Sequence, residues 1–173
     1  NFYSNQGHLQ DAIASYETSI RLRDDMIMPL VNVSIIYARL GKTEQAEKSL
    51  RKAQAIDPNN VEMNFNLGLL LAEKSDLAAA EKCMRRALKA SPDFAEAAFN
   101  LGVMIAQKNP TEAITLCKKA YRLRPDNNRY GYTLAFYLNQ SAAYCYTHTR
   151  TGQVWIRMSR AKYRHHRLRL LFY

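Results

Sequence analysis

Apolar residues recur along most of the chain at intervals of three and four, the spacing of one stripe on an α-helix. Short polar turns containing Gly, Pro or Asn separate these amphipathic blocks. No window holds the roughly 20 consecutive apolar residues that a membrane span requires. The pattern therefore predicts an all-α fold of short helices, without a transmembrane segment.

The helical blocks repeat with a nearly constant period. Residues 27–60, 61–94 and 95–127 align as frames of 34, 34 and 33 residues, and the third lacks one residue near Asn109-Pro110. Equivalent places of the frames carry the same small or apolar residue types. In frame order these are Val33-Ser34, Leu67-Gly68 and Leu101-Gly102 at places seven and eight, Ala46, Ala80 and Ala113 at place 20, Ala53, Ala87 and Ala120 at place 27, and Pro58, Pro92 and Pro125 near the end.

The recurring residues have a physical explanation. Alanines seven residues apart keep one face of the second helix thin, so that a neighbouring helix can approach closely. Glycine at the eighth place does the same for the first helix. Proline cannot continue a helix and restricts the residue before it, so each frame ends there. Each frame therefore predicts a helical hairpin.

This pattern resembles the tetratricopeptide repeat family, whose unit is a 34-residue helical hairpin. The resemblance covers roughly residues 1–140 and implies a right-handed superhelical solenoid of antiparallel helix pairs, in which the first helices line a concave groove. The predicted organisation is a partial repeat at 1–26, full repeats at 27–60, 61–94 and 95–127, and the start of a further repeat at 128–140.

The first residues match the later part of a frame. Gly7 falls at the place of Gly41, which predicts a turn between two helices around Gly7 and His8. Asn1 would then lie inside a first helix. A natural chain rarely starts there, so we expect a fragment of a longer chain.

Residues 141–173 depart from the repeat pattern. Helix is expected to continue to about Tyr146, to break at 149–152 and to resume over 153–169. This segment is rich in Arg, His and Tyr and contains no acidic residue. A basic helical cap and a non-native end, frameshifted or vector-encoded, both fit that composition.

The sixth place of each full frame is an asparagine, at Asn32, Asn66 and Asn100. An amide both donates and accepts, so one per repeat could bond the backbone of an extended peptide without reading its side chains. The arrangement resembles the asparagine ladders of tetratricopeptide proteins that hold extended chains. The alternative is that each amide serves only its own or the neighbouring repeat.

Apolar residues share the predicted helix face with this asparagine ladder. They are Phe65, Phe99 and Tyr132 one place earlier and Ile35, Leu69, Val103 and Phe136 three places later. They could form side-chain pockets for a peptide or could pack between adjacent first helices. Arg39 and Glu73 lie on the same face, with Glu62 and Glu96, which predicts an acidic groove.

The charge of the groove bears on its partner. An acidic groove favours a neutral or basic peptide. Family members that hold acidic chaperone tails use Lys and Arg at groove places, and this chain has Glu, Phe, Leu and Ala there. The partner is predicted to be a protein or peptide, with self-association as a further hypothesis.

The net charge of +10 is concentrated near the C-terminus. Residues 141–173 carry seven Lys or Arg and no acid, whereas residues 1–140 carry 18 basic and 15 acidic residues. Nucleic acid is therefore disfavoured as the groove's ligand.

A competing hypothesis is an adaptor whose basic tail contacts nucleic acid or an anionic membrane. A third is the targeting portion of a larger enzyme such as a glycosyltransferase. Deleting residues 147–173 would abolish binding only if the tail is the site.

No catalytic residue, metal ligand or cofactor is predicted. The sequence has no Gly-rich phosphate loop, paired-Cys metal motif or nucleophile elbow. Cys145 and His148, even with the histidines at 165–166, match no common zinc spacing. The three cysteines cannot all pair within the chain, which favours reduced thiols and a cytoplasmic location.

Overall fold

The computed structural model describes the chain from Phe2 to His148, with side chains for residues 8–141. This part of the chain consists of helices and turns, without a strand. The helices are α1 Phe2–Leu22, α2 Ile27–Arg39, α3 Thr43–Ile56, α4 Val61–Glu73, α5 Leu77–Ala90, α6 Ala95–Ile105, α7 Pro110–Leu123 and α8 Asn128–His148.

Six of these helices form three antiparallel hairpins, α2–α3, α4–α5 and α6–α7. Each hairpin packs on the next, while α1 packs before the first and α8 after the last. The helices α2, α4, α6 and α8 begin at Ile27, Val61, Ala95 and Asn128, where the sequence frames begin. The predicted all-α solenoid of helix pairs is confirmed.

The N-terminal helix differs from its prediction. A turn was expected around Gly7 and His8, but α1 is one helix of 21 residues that passes through both. Its apolar stripe, which includes Leu9, Ile13 and Tyr16, packs on the core from one side. A helix-interior glycine costs only about 1 kcal/mol, which such packing easily outweighs. The break and second helix predicted beyond residue 148 lie outside the described residues.

The turns between hairpin helices follow two designs. Gly41 and Ser75 take left-handed backbone conformations, with φ of 71° and 65°, and end α2 and α4. The third turn spans residues 106–109 and has no residue of positive φ. There α6 ends after 11 residues, whereas α2 and α4 have 13. Pro110 and the Asn109 cap, which accepts from the Glu112 N–H, start α7.

The core lies between successive helices and uses the recurring small residues. The alanines of places 20 and 27 are at most 1% exposed, and so are Leu67 and Leu101 of place seven. The small side chains allow the first helix of each frame to lie against the thin face of the second. This packing leaves one side of α2, α4, α6 and α8 facing outward from the core.

Candidate functional site

The outward sides of the first helices are here called the groove face. It carries the sixth and ninth places of the frames. Its predicted contact residues are half-buried at Asn32, Asn66, Asn100, Ile35 and Leu69 and exposed at Val103, Arg39 and Glu73.

Two members of the asparagine ladder have the same side-chain geometry. The amide nitrogen Nδ2 of Asn66 donates to the Glu62 carbonyl at 2.8 Å, and that of Asn100 donates to the Glu96 carbonyl at 2.7 Å. A carbonyl only accepts, so these bonds fix which end of each amide is nitrogen. Neither amide oxygen accepts a hydrogen bond within residues 8–141. Each oxygen therefore remains an available acceptor at a defined place of its repeat.

Asn32 differs from the other two. Among the side chains that the structure describes, it forms no hydrogen bond to the carbonyl four residues earlier. Its amide is thus the less constrained member of the ladder. Both its donor and its acceptor are available to a ligand.

A cleft of about 180 Å³, here the proximal cleft, lies between α2, α3 and α4. It brings together five of the predicted site residues, namely Ile35, Arg39, Asn66, Leu69 and Glu73. Apolar side chains form most of its wall, and Arg39 and Glu73 are its exposed charged members. The proximal cleft thus has the apolar lining and few polar groups typical of a side-chain pocket.

A second cleft of about 370 Å³, here the aromatic cleft, lies between α6 and α8. Val103 is 41% exposed there, Phe136 56% and Tyr132 73%. Arg129 also lines it, with its guanidinium carbon 4.9 Å from the centre of the Phe99 ring. Sequence reasoning missed Arg129, although it occupies the second place of its frame, where the preceding two frames have Glu62 and Glu96.

The two predicted phenylalanines serve mainly in packing. Phe99 is 2% exposed and stacks on Tyr130, with ring centres 4.5 Å apart. Phe65 is half-buried, and the centre of its ring lies 4.8 Å from that of Phe94. Both phenylalanines lie on the side of their helix that faces the next first helix along the chain. Of the two alternatives, burial of Phe99 favours packing between adjacent first helices.

The groove face carries less negative charge than the sequence suggested. Arg124 lies 3.2 Å from the Glu96 carboxylate, and the exposed Arg39 shares the proximal cleft with Glu73. Arg129 adds a further positive charge beside Phe99. The face is therefore nearly balanced, because Arg39 of α2, Arg124 of the turn after α7 and Arg129 of α8 accompany the acidic residues of α4 and α6.

Two cysteines are among the residues whose side chains are described. Cys83 and Cys117 are buried, and burial raises the pKa of the Cys117 thiol to about 11, which keeps it protonated at neutral pH. Within the described part, no three His, Cys, Asp or Glu residues group as metal ligands would. The side chains of Cys145 and His148 lie outside the described set. None of the described helices is both long and apolar enough to span a membrane.

Repeated hairpins and an open face lined by equivalent residues define a helical-repeat solenoid of the scaffold class. Two family models match the chain, "Tetratricopeptide repeat" at residues 65–128 and "TPR repeat" at residues 36–75. Together they span more than half of its 173 residues. The chain belongs to the tetratricopeptide repeat family.

Solved structures show the same fold at low sequence identity. MamA from Desulfovibrio magneticus RS-1, from residue 41 to its end, is 20% identical with a TM-score of 0.68, over 93% of this chain and 89% of that one. TTC0263, a thermophilic TPR protein from Thermus thermophilus, is 20% identical with a TM-score of 0.64, over 78% and 75%. The first TPR of Spaghetti (RPAP3), bound to the HSP90 peptide SRMEEVD, is 21% identical with a TM-score of 0.62, over 68% and 93%. No curated protein matches the chain.

Proposed function

We propose that this protein is a non-catalytic interaction scaffold that binds an extended segment of a partner protein along its groove face. The observation that carries the proposal is the shared geometry of Asn66 and Asn100, whose amide nitrogens bond their own helix and leave both amide oxygens as acceptors. Such fixed acceptors, one per repeat, suit the N–H groups of an extended backbone.

The energetics require several contacts together. One hydrogen bond to a peptide contributes about 0.5–1.5 kcal/mol net. Because their own helix already holds the two amides, binding loses little side-chain entropy there. Side chains of the segment would enter the proximal and aromatic clefts, adding apolar burial of about 25 cal/mol per Å².

The nearly balanced charge of the groove face favours an extended segment that is neutral or weakly basic. The first TPR of Spaghetti, which has a similar fold, binds a peptide, and that peptide is acidic. The present groove face offers Asn66, Leu69 and Glu73 in a row along α4, a composition without a cluster of positive charges.

The first prediction concerns the asparagine ladder. Asn66→Ala combined with Asn100→Ala should weaken binding of a selected peptide about tenfold, since two hydrogen bonds are removed. Thermal stability should be unchanged or slightly higher, because Ala has the better helix propensity. Fluorescence polarisation with the labelled peptide and thermal unfolding by circular dichroism measure the two quantities.

Asn59→Ala provides the matched control, because Asn59 is exposed in the turn before α4 and lies outside the first helices that carry the groove face. Its affinity should remain within about twofold of the unsubstituted protein. Equal affinity of the double variant and this control would refute the role of the ladder.

A further inference from the structure

The third junction between successive frames differs from the first two. At the first two, an acidic residue at place 21 meets a lysine at place 14 of the next frame. Glu47 lies 2.6 Å from Lys74, and Glu81 lies 3.6 Å from Lys108. At the third junction the same two places hold Ile114 and Ser141, so this ion pair cannot form.

A cleft of about 500 Å³, here the distal cleft, lies at this third junction between α7 and α8. Several of its lining residues occupy the same frame places as residues of the proximal cleft, and it is the larger of the two clefts. Helix α6 also ends two places earlier in its frame than α2 and α4, and the turn residues Ala106 and Gln107 that follow it line the cleft. The missing ion pair and the shortened helix thus occur at the same junction.

None of the described residues that line the distal cleft is charged. Its walls are apolar at Ala106, Pro110, Ala113 and Ile114, and its polar members are Gln107, Thr111, Tyr137, Gln140 and Ser141. Gln107 and Gln140 occupy the places that Arg39 and Glu73 hold in the proximal cleft. A charged group would lose hydration there without gaining a counter-charge. An aromatic group with one polar edge would place its ring against the apolar walls and its polar edge beside the uncharged polar side chains.

The distal cleft is continuous with the groove face. Tyr137 lines both the distal cleft and the aromatic cleft, and the Phe136 and Tyr137 rings lie 5.6 Å apart. A segment that follows the asparagine ladder past Asn100 therefore reaches the aromatic cleft and then the distal cleft. The volume is within the range typical of ligand pockets, about 300–1,000 Å³.

We propose that the distal cleft is the specificity-determining anchor site of the groove, and that it takes a Tyr or Trp side chain of the bound segment. This inference rests on the proposed function, since it requires a segment on the groove face. The anchor selects for an uncharged aromatic side chain, whereas the ladder holds backbone of any sequence. Tyr and Trp fit because apolar walls bury the ring while the amides and hydroxyls bond its polar edge.

The test uses the full chain and a phage-displayed library of random 12-residue peptides. Selected peptides should share a Tyr or Trp at one position, and its replacement by Ala should weaken binding about tenfold, or about 1.4 kcal/mol. Two variants obstruct the cleft. Thr111→Trp fills it from an exposed position on α7, and Ile114→Glu with Ser141→Lys rebuilds the ion pair of the other junctions.

Both variants should lose about tenfold in affinity for the selected peptide. Thr115→Trp is the matched control, since Thr115 is exposed one turn further along α7 and should alter affinity by less than about twofold. Equal affinity of Thr111→Trp and Thr115→Trp overturns the anchor. So does a selected consensus without an aromatic residue.

The remaining outcomes separate the anchor from the ladder. If Asn66→Ala with Asn100→Ala weakens binding and the cleft variants do not, the anchor fails and the proposed function stands. If only the cleft variants weaken binding, the anchor stands and the ladder fails. Recovery of no peptide overturns both. A second copy as the occupant would instead appear as a change in oligomeric state on Thr111→Trp, which also overturns the anchor.

Discussion

The eighth place of each frame lies where the two helices of a hairpin approach each other. A Cβ added at Gly102 would lie 2.9 Å from the Cys117 sulfur and 3.1 Å from the Ala113 carbonyl oxygen. At Gly68 the nearest atom would be the flexible end of Met84, at 3.0 Å. Ser34 fills this place in the first frame and donates to the Val31 carbonyl at 2.6 Å. The three frames thus leave different amounts of space for a side chain at the eighth place.

This difference predicts unequal effects of adding one methyl group. Gly102→Ala should lower the free energy of unfolding by about 1–2 kcal/mol, because overpacking costs more than the gain in helix propensity. Gly68→Ala should be nearly neutral, because Met84 can move. Urea unfolding of both variants measures the difference, and equal midpoints would contradict this account of the close approach.

Asn64 is a buried polar residue whose side chain bonds the backbone of the preceding turn. It is fully buried in α4, and its amide nitrogen donates to the carbonyls of Pro58 and Asn60, both at 2.8 Å. These bonds tie the turn between two frames to the first turn of the next helix. Asn64 thereby helps to set how α4 follows α3.

Ion pairs connect successive hairpins at the scale of elements. Besides the pairs at place 21, Arg85 of α5 lies 2.6 Å from the Glu112 carboxylate of α7. The hydrogen bond from Arg85, followed by its charge, holds the pKa of Glu112 below its ordinary value of 4.5. The pair is partly exposed, so its contribution is modest, at most about 1 kcal/mol.

The lowered pKa predicts how stability depends on pH. The folded state prefers ionised Glu112, so its stabilisation is present above the ordinary pKa of 4.5 and is lost as pH falls through the lower folded pKa. Glu112→Gln should therefore be less stable than the unsubstituted protein at neutral pH. The difference should vanish once Glu112 is protonated in both states. Urea unfolding across this range measures both curves.

Asp11→Asn is the control for this experiment. Asp11 is exposed on α1 and forms no ion pair within the described residues. Its substitution should leave the unfolding curves nearly unchanged at every pH. A Glu112→Gln effect that persists unchanged at low pH would show that the ion pair is not its cause.

The whole molecule is a linear array in which each element contacts mainly its neighbours. Stability in such an array depends on how many neighbours an element has. The hairpin α4–α5 packs on both sides, whereas α1 packs mainly on α2. Local opening should therefore require more free energy in the middle than at the ends.

This difference predicts a gradient in amide hydrogen exchange. Protection should be greatest in α4 and α5 and much lower in α1, because opening α1 disrupts one interface and opening the middle hairpin disrupts two. Exchange followed by mass spectrometry at neutral pH would resolve the helices. Uniform protection from α1 to α7 would show that the array instead unfolds as one unit.

Local sequence determined the repeat and its boundaries. Hydrophobic period, recurring alanines and prolines act within a hairpin, so they located the first helices to the residue at Ile27, Val61 and Ala95. The turn predicted near Gly7 was wrong, because helix packing outweighed the local preference of one glycine.

The tertiary structure decided what the groove face presents. Burial of Phe99 under α8, the approach of Arg124 to Glu96 and the distal cleft at Ile114 each depend on residues far apart in sequence. The sixth-place asparagines were visible in the sequence, but the bonds that orient their amides were not. A periodic pattern specifies what faces the core, whereas pocket volume and charge balance arise only when successive hairpins are packed together.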